Sequence, residues 1–263
     1  MASSTKPALV FVTGSFVMAT HYEFLMEAIK TKGYPAQVIQ LKTAGTRRPG
    51  PLPTMYDDAA DINAAAAKFA DEGRDVVVVA HSYGGVPATQ SLKGVTKAER
   101  EKEGKQGGVV RLAYMTALAP ELGAPAGSLF FEGSGARPDL MAPGEDGWLY
   151  HTNLELSREV CFNSLTVEKG KEVAEEFVNH SSLAFVNELT HAGYKDVPVS
   201  YLFCEDDKCV TPPIQQRVID TIESASGRKV DITRNFSDHC PEISTPDNVI
   251  NWLAGLLEKG GKE

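Results

Sequence analysis

The chain has 263 residues and a mass of 28.4 kDa, the upper range for one compact domain at roughly 100–200 residues each. With 42% hydrophobic and 23% charged residues and no run near the ~20 apolar residues of a membrane helix, the composition is that of a soluble globular protein and excludes disorder, collagen and coiled coil. Lys plus Arg total 26 against 35 Asp plus Glu, and the net charge of −9 repels nucleic-acid phosphates and anionic lipid headgroups, so no nucleic acid and no membrane are expected as partners. The four cysteines, Cys161, Cys204, Cys209 and Cys240, form no CxxC pair and are too sparse for a disulfide scaffold, so reduced thiols and a cytoplasmic location are expected.

In chain order the punctuation alternates strand and helix. Ala8 to Val12 is a continuous apolar run of the kind buried on both faces of a sheet, ending at Gly14. Together with Lys6 and the small residue Ala19 the segment has the outline of a short signal peptide, but LVFVTG reads better as a first core strand. His21 to Lys32 has a helical pattern and stops at Gly33, and Val38 to Leu41 predicts a second strand before a loop with Gly45, Pro49, Gly50, Pro51 and Pro53. Thr54 to Ala70 spaces Met55, Ala59, Ile62, Ala66 and Phe69 along one helical face, with Asp57, Asp58 and Asp61 near its start, where the helix dipole favours anions.

Asp75 to Ala80 carries VVVV, the strongest strand signal, and runs into His81, Ser82, Tyr83, Gly84 and Gly85 before another helix. Val109 to Thr116 predicts a fourth strand. Residues 121–195 break the alternation, with Gly- and Pro-rich loops to Gly147 and helical segments after it, and read as an inserted, mainly helical cap (lid). Strand Val197–Cys204, helix Pro213–Ser224, strand Lys229–Thr233 and helix Pro246–Leu257 restore it, so residues 1–120 and 196–263 are expected to form one core. Six strands alternating with helices predict an α/β fold, a mostly parallel six-stranded sheet covered on both faces. Reactive residues belong just after such strands.

Ala80-His81-Ser82-Tyr83-Gly84 has the small-x-Ser-x-small form of a nucleophile elbow, in which a sharp strand-to-helix turn leaves no room for side chains two before and two after the serine. A serine hydroxyl is a weak nucleophile and needs a base that is itself oriented by an acid. Of the six histidines, His81 lies inside the elbow and His239 follows the last strand, which makes His239 the candidate base; His21, His151, His180 and His191 have structural readings as good as any functional one, and none shows metal-ligand spacing. YLFCEDDKCVTPP supplies the acid. Asp207 stands nearest the Pro-started helix, with Asp206 as the alternative; the bland reading is a solvated acidic turn. The order Ser, Asp, His is that of hydrolases on this fold. The backbone N–H groups of Tyr83 and, from the loop Thr13-Gly14-Ser15-Phe16, of Ser15 are the candidate oxyanion donors, while Gly14, Phe16 and His81 are expected to line the substrate pocket.

At these motifs the chain resembles an α/β-hydrolase of the branch that contains plant methylesterases and hydroxynitrile lyases with their microbial relatives. TGSFVMATHYEFL is similar to the branch's HGAWHxxxHYxxL, and SDHCPEIS to its GHSPxLS; AHSYGG and YLFCEDDKCVTPP complete the likeness, and residues 121–195 match least. The resemblance implies a triad of Ser82, Asp207 and His239, backbone donors from Ser15 and Tyr83, a helical cap over a small acyl pocket, and no cofactor or metal. Thr13 stands where the branch usually has His, Asp238 where a small residue is usual, and Thr211 where Pro is common. The lyases carry Lys after the catalytic His and Thr in place of the loop Gly; Cys240 and Gly14 here favour the esterase side.

The expected activity is therefore cofactor-free hydrolysis of a small carboxylic ester or lactone, by a protein free to form a homodimer. The alternatives are a lyase, dehydratase or other non-hydrolytic enzyme using the same base, and a ligand-binding receptor on the hydrolase fold. Phe130, Phe131, Trp148, Tyr150, Phe162, Phe177, Phe185 and Tyr194 put aromatic rings in the cap; they suit an apolar cleft for a small aromatic or polyketide-like substrate, or equally pack the cap on the core.

Overall fold

The computed structural model describes residues 5–46, 50–130 and 140–262; Pro49 and Phe131 lie outside them. Six strands form the main sheet: β1 (Ala8–Val12), β2 (Ala36–Ile39), β3 (Asp75–His81), β4 (Gly108–Met115), β5 (Val199–Cys204) and β6 (Asp231–Asn235). Their order is β6-β5-β4-β3-β1-β2, and every pairing is parallel. Successive residues of a strand point to opposite faces, and here each face has its own core. Val10, Val76, Val78 and Tyr201 face helices α2 (Met55–Asp71) and α6 (Pro212–Ser226), whereas Leu9, Phe11, Val77 and Leu202 face α1 (Glu23–Thr31) and α7 (Pro246–Lys259).

Two strands lie two residues away from their sequence expectation. Leu41 is buried but packs from a turn, so β2 starts and ends earlier, with Val12 opposite Ile39. β6 is an edge strand whose middle residues face solvent, so no apolar run marks it, and its pairing with β5 carries it on to Asn235 opposite Cys204. α2 begins as a capping box. The Thr54 hydroxyl accepts the Asp57 N–H, and the Asp57 carboxylate accepts the Thr54 N–H at 2.7 Å.

Between β4 and β5 lie α4 (Leu154–Cys161), α5 (Val167–Ala174) and several shorter helical turns. This segment also contains strands, which the sequence reading did not foresee. Met141–Pro143, Trp148–His151 and Asn179–Ser181 join Ala44–Gly45 in a small antiparallel sheet, so a two-residue piece from before α2 completes a sheet built largely from the segment between β4 and β5. Further bonds fasten the two parts. Asn187 Oδ1 accepts the Met55 N–H at 3.0 Å, and Glu188 O accepts the Tyr56 hydroxyl at 2.8 Å. Among the described residues no helix is long and apolar enough to cross a membrane.

Asp58 and Glu242 are among the carboxyl groups buried in this framework. Asp58 on α2 accepts the Thr43 N–H at 3.1 Å and the Thr43 hydroxyl at 2.5 Å, yet burial still raises its pKa to about 7. Glu242, in the short turn Pro241–Ser244 before α7, has no solvent exposure and no well-formed hydrogen bond to either carboxyl oxygen. Burial pushes it up to about 8, only partly offset by its own backbone N–H and the Cys240 thiol. From the unfolded value of about 4.3 up to about 8 the native state therefore holds a proton that the unfolded chain has released, and stability falls as pH rises through that window. Glu242→Gln keeps the shape and removes the ionisation. Its melting temperature is expected within about 2 °C of the parent at pH 4 and roughly 5 °C above it at pH 9; calorimetric scans across pH that give parallel curves for the two proteins contradict the assignment.

Candidate active site

β3 runs without a break into the elbow. Ser82 sits at φ +53°, in the left-handed region that most side chains avoid, and opens a single tight turn, Ser82–Gly84, followed by helix α3 (Gly85–Gln90). The glycines after it are required by contact. A methyl at Gly84 would overlap the Thr13 carbonyl oxygen, and one at Gly85 the Leu118 carbonyl oxygen. Ala80, where glycine is usual, keeps its methyl because it is still within the strand, paired with Val12 on one side and Tyr114 on the other. The Leu118 N–H donates to the Ser82 carbonyl at 2.9 Å and holds the turn from the β4 side.

His239 Nε2 lies 2.9 Å from Ser82 Oγ, and its Nδ1 lies 2.7 Å from Asp207 Oδ2. All three residues are buried. Asp207 also accepts the Thr116 hydroxyl on Oδ2 and the N–H groups of Cys209 (2.7 Å) and Val210 (2.9 Å) on Oδ1, so both oxygens are committed. Asp206, the alternative acid, is exposed and accepts the Asn163 amide at 2.7 Å instead. The loops after β5 and β6 are tied together by Glu205 N–H to Asn235 O (2.9 Å) and Asp206 N–H to Ser237 O (3.1 Å), which sets acid beside base. Burial by itself lowers the His239 pKa; the Asp207 carboxylate, joined by the Cys209 thiol, outweighs it and holds the imidazole well above its ordinary 6.5. Asp238 has a local reason to replace a small residue: its carboxylate accepts the N–H of Ser164 (3.0 Å) and Cys240 (3.2 Å) and the Ser244 hydroxyl (2.8 Å), fixing the histidine loop against the segment after α4.

His81 ends β3 just before the serine. Its ring borders the cavity, but Nε2 lies 2.7 Å from the His239 carbonyl and Nδ1 2.6 Å from the Tyr22 hydroxyl, so neither nitrogen is left for a substrate. A carbonyl only accepts, so Nε2 carries the proton and Nδ1 accepts from Tyr22. Burial, with the His239 charge second, lowers the pKa of His81 well below 6.5 and keeps it neutral. Tyr22 Oη accepts the Gly14 N–H at 3.3 Å, which continues the chain into the loop after β1. A Cβ at Gly14 would come to 3.0 Å from His81 Nδ1 and 3.4 Å from Ser82 Cβ, so that loop lies directly on the elbow. The loop then turns at Phe16, φ +62°, whose carbonyl accepts the Val178 N–H at 2.8 Å. Ser15 and Phe16 face the cavity; the Tyr83 ring points away from it, against His180 and Phe185.

In front of Ser82 is a narrow cavity of about 50 Å³, walled from the segment between β4 and β5 by Leu140, Met141, His151 and Phe177. A larger open groove of about 500 Å³ borders β6 and α7, but none of the residues discussed above as reactive lines it. His151 stacks on Phe177 with ring centroids 4.4 Å apart and meets Phe16 edge-on at 4.6 Å, and burial lowers its pKa to about 4. The wall is thus apolar and uncharged at neutral pH. Ligating atoms of His81, Cys240 and Glu242 gather within 4.8 Å of one another. With both His81 nitrogens engaged, this cluster offers a metal no free imidazole.

Several residues that build the site escaped the sequence reading. Thr116 reaches Asp207 because the chain leaves β4 at φ +39°. Gln215 on α6 is fully buried and clamps the acid loop: Oε1 accepts the Cys204 N–H at 2.9 Å, and Nε2 donates to Cys204 O (2.9 Å) and Val210 O (2.8 Å). Tyr22 was readable only as part of an HY pair. Cys161 and Cys209, expected only as reduced thiols, both border the cavity.

Comparison with known proteins agrees with this architecture. The chain is 34% identical over 255 residues to "Probable hydrolase R7" of Phoma sp., covering 96% of this chain and 100% of that one. It is 28% identical over 249 residues to "Alpha/beta hydrolase nvfD" of Aspergillus novofumigatus, covering 94% and 95%. Solved structures share the fold at low identity. A pyrethroid hydrolase from Sphingobium faniae superposes with a TM-score of 0.74 (19% identical, 98% and 100% covered), polyneuridine aldehyde esterase with 0.72 (19%, 96% and 99%) and the methylesterase MES16 from Arabidopsis with 0.68 (15%, 96% and 99%). A model of the alpha/beta hydrolase family matches residues 9–252, and the chain belongs to that family.

Proposed function

We propose that the protein is a serine hydrolase acting on a small, uncharged carboxylic ester or lactone, in steps that call on no cofactor. The observation that carries this reading is the continuous chain from Ser82 Oγ through the His239 ring to Asp207, at 2.9 Å and 2.7 Å. Ser82 Oγ attacks the carbonyl carbon while His239 Nε2 takes its proton; Asp207, held on both oxygens, keeps Nδ1 protonated and stabilises the imidazolium. The N–H groups of Ser15 and Tyr83 receive the charge on the former carbonyl oxygen, supported by the packing of the loop after β1 on the elbow. His239 returns the proton to the leaving alkoxide, and a water activated by the same nitrogen releases the acyl group.

The substrate class follows from the cavity. The part of the wall formed by Leu140, Met141, Phe177 and the neutral His151 offers a charged acyl chain no partner, and a buried ion without a partner loses its hydration. The narrow space beside Ser82 favours a short or flat acyl group. The fold neighbours named as a pyrethroid hydrolase, an aldehyde esterase and a methylesterase support an ester as the bond cleaved.

Ser82→Ala is expected to lower kcat by about 10⁵-fold and to abolish labelling by a fluorophosphonate probe. A variant that keeps turnover on an ester panel overturns the acyl-enzyme route and points to proton-transfer chemistry. Because the base works only when unprotonated, kcat/KM should rise with pH through a midpoint above 6.5, the direction in which Asp207 and Cys209 move His239. Asp207→Asn should cost about 10⁴-fold in kcat. A pH–rate profile with its rising limb below pH 6 contradicts the assigned charge balance.

A further inference from the structure

Three of the four cysteines, Cys161, Cys209 and Cys240, border the cavity in front of Ser82. Cys240 turns toward Glu242 and stays a buried, protonated thiol. The other two share one place. Cys161 ends α4 and Cys209, in the acid loop, packs against the apolar cluster that holds Cys161, so both thiols border the same narrow cavity. Cys161 is buried, whereas Cys209 is only partly so and is the member a small reagent reaches. Neighbouring contacts pin the two segments in this position. Asn163 Nδ2 donates to Asp206 Oδ2 at 2.7 Å and to Asp206 O at 3.1 Å, and the Ser164 N–H donates to Asp238 Oδ2 at 3.0 Å.

We infer that Cys209 and Cys161 form a peroxide-reactive dithiol site, in which a hydroperoxide oxidises Cys209 and Cys161 closes a disulfide in the wall of the Ser82 cavity. Cys209 is suited to attack first. Hydrogen bonding from the Cys161 thiol lowers its pKa despite burial, with the His239 cation adding to the effect, while Cys161 is pushed up and remains the protonated partner. In the first step the Cys209 thiolate attacks one peroxide oxygen. The O–O bond breaks, the departing oxygen takes a proton and leaves as water or an alcohol, and the sulfur, oxidised by two electrons, becomes a sulfenic acid. In the second step the Cys161 sulfur displaces that hydroxyl. The S–S bond forms, the Cys161 proton and the hydroxyl leave as water, and two thiols have reduced one peroxide.

The consequence for the site is geometric. The Cys209 N–H is one of the donors on Asp207 Oδ1, at 2.7 Å, and its thiol is one of the groups that hold His239 cationic. A disulfide would draw Cys209 toward α4, remove the thiol from His239 and narrow a cavity that is already small. The thiol chemistry does not depend on Ser82 being the nucleophile, so the two readings can fail separately.

The test treats the whole protein with hydrogen peroxide, alkylates the remaining thiols with iodoacetamide and maps the digest without reduction. A peptide pair joining Cys161 to Cys209, about 2 Da below the sum of its reduced halves, is expected, together with a loss of ester hydrolysis of about tenfold that dithiothreitol reverses. Each variant is compared with its own untreated rate. Cys161→Ser should stop at a dimedone-reactive Cys209, and Cys209→Ser should lose both the cross-link and the peroxide sensitivity; Cys240→Ser should retain the cross-link. Alkylation of both Cys161 and Cys209 after peroxide treatment overturns the site, and a cross-link that forms with the rate unchanged overturns its effect on the cavity. Absence of ester turnover in the untreated protein bears on the proposed hydrolase activity alone, since the cross-link is read by mass.

Discussion

Ser82 can stand at φ +53° only because the backbone around it leaves no alternative. A non-glycine residue in that region costs roughly 1–2 kcal/mol, and the surrounding contacts must exceed this. They come from two sides. The Thr13 carbonyl lies over Gly84 and the Leu118 carbonyl over Gly85, each too close for a side chain, while the Leu118 N–H bonds the Ser82 carbonyl. The elbow is therefore wedged between the chain leaving β1 and the chain leaving β4, the two strands that flank β3. A relaxation of Ser82 toward ordinary helical or extended geometry would have to move both. This wedge also brings Gly14 against Ser82, so the strain at the serine and the position of the neighbouring loop are one constraint rather than two.

The parallel sheet extends the same logic to the other groups. All six strands end on the same edge, and the residues that meet there come from the ends of β1, β3, β4, β5 and β6. Sequence distance is large: 157 positions separate Ser82 from His239. Register converts that distance into contact. β5 and β6 pair from Ser200–Asp231 to Cys204–Asn235, and the ladder continues past the strands through the bonds from Glu205 and Asp206. The acid and the base thus leave neighbouring strands at the same level, and Gln215, bonded to Cys204 and Val210, prevents the acid loop from drifting out of register.

This explains what could be read in the sequence and what could not. VVVV before a small-x-Ser-x-small turn is legible because burial on both faces and steric crowding each leave a local mark. The exposed middle of β6 leaves none, which is why that strand was misplaced by two residues. The choice between Asp206 and Asp207 rests on which side chain the loop turns inward, a property of Thr116, Cys209 and Val210 acting together. The small antiparallel sheet was hidden for a similar reason. Its strands are two to four residues long, one of them lies more than ninety residues from the next, and pairing of such short segments is decided by what packs beside them. Cys161 and Cys209 carry no spacing signal at all; only the docking of the end of α4 on the acid loop brings both to one cavity.

The two imidazoles at the centre show how position assigns charge to identical groups. The rings of His81 and His239 are 4.9 Å apart, close enough that a proton on one opposes a proton on the other. Burial lowers both. Only His239 has a carboxylate on its ring, and it is raised, whereas His81 meets a hydroxyl and a carbonyl and is driven down. His81 therefore serves as a neutral strut: it donates to the His239 carbonyl and accepts from Tyr22, which in turn accepts from Gly14. A cationic His81 would lose the lone pair that Tyr22 needs and repel the neighbouring ring. The same low polarity that keeps it neutral keeps Glu242 protonated behind it, so the carboxylate that charges the His239 ring is that of Asp207, on the side away from Ser82, with Cys209 adding to it. In the proposed hydrolysis, proton transfer from Ser82 to Nε2 is favoured by which of two adjacent histidines was given a carboxylate.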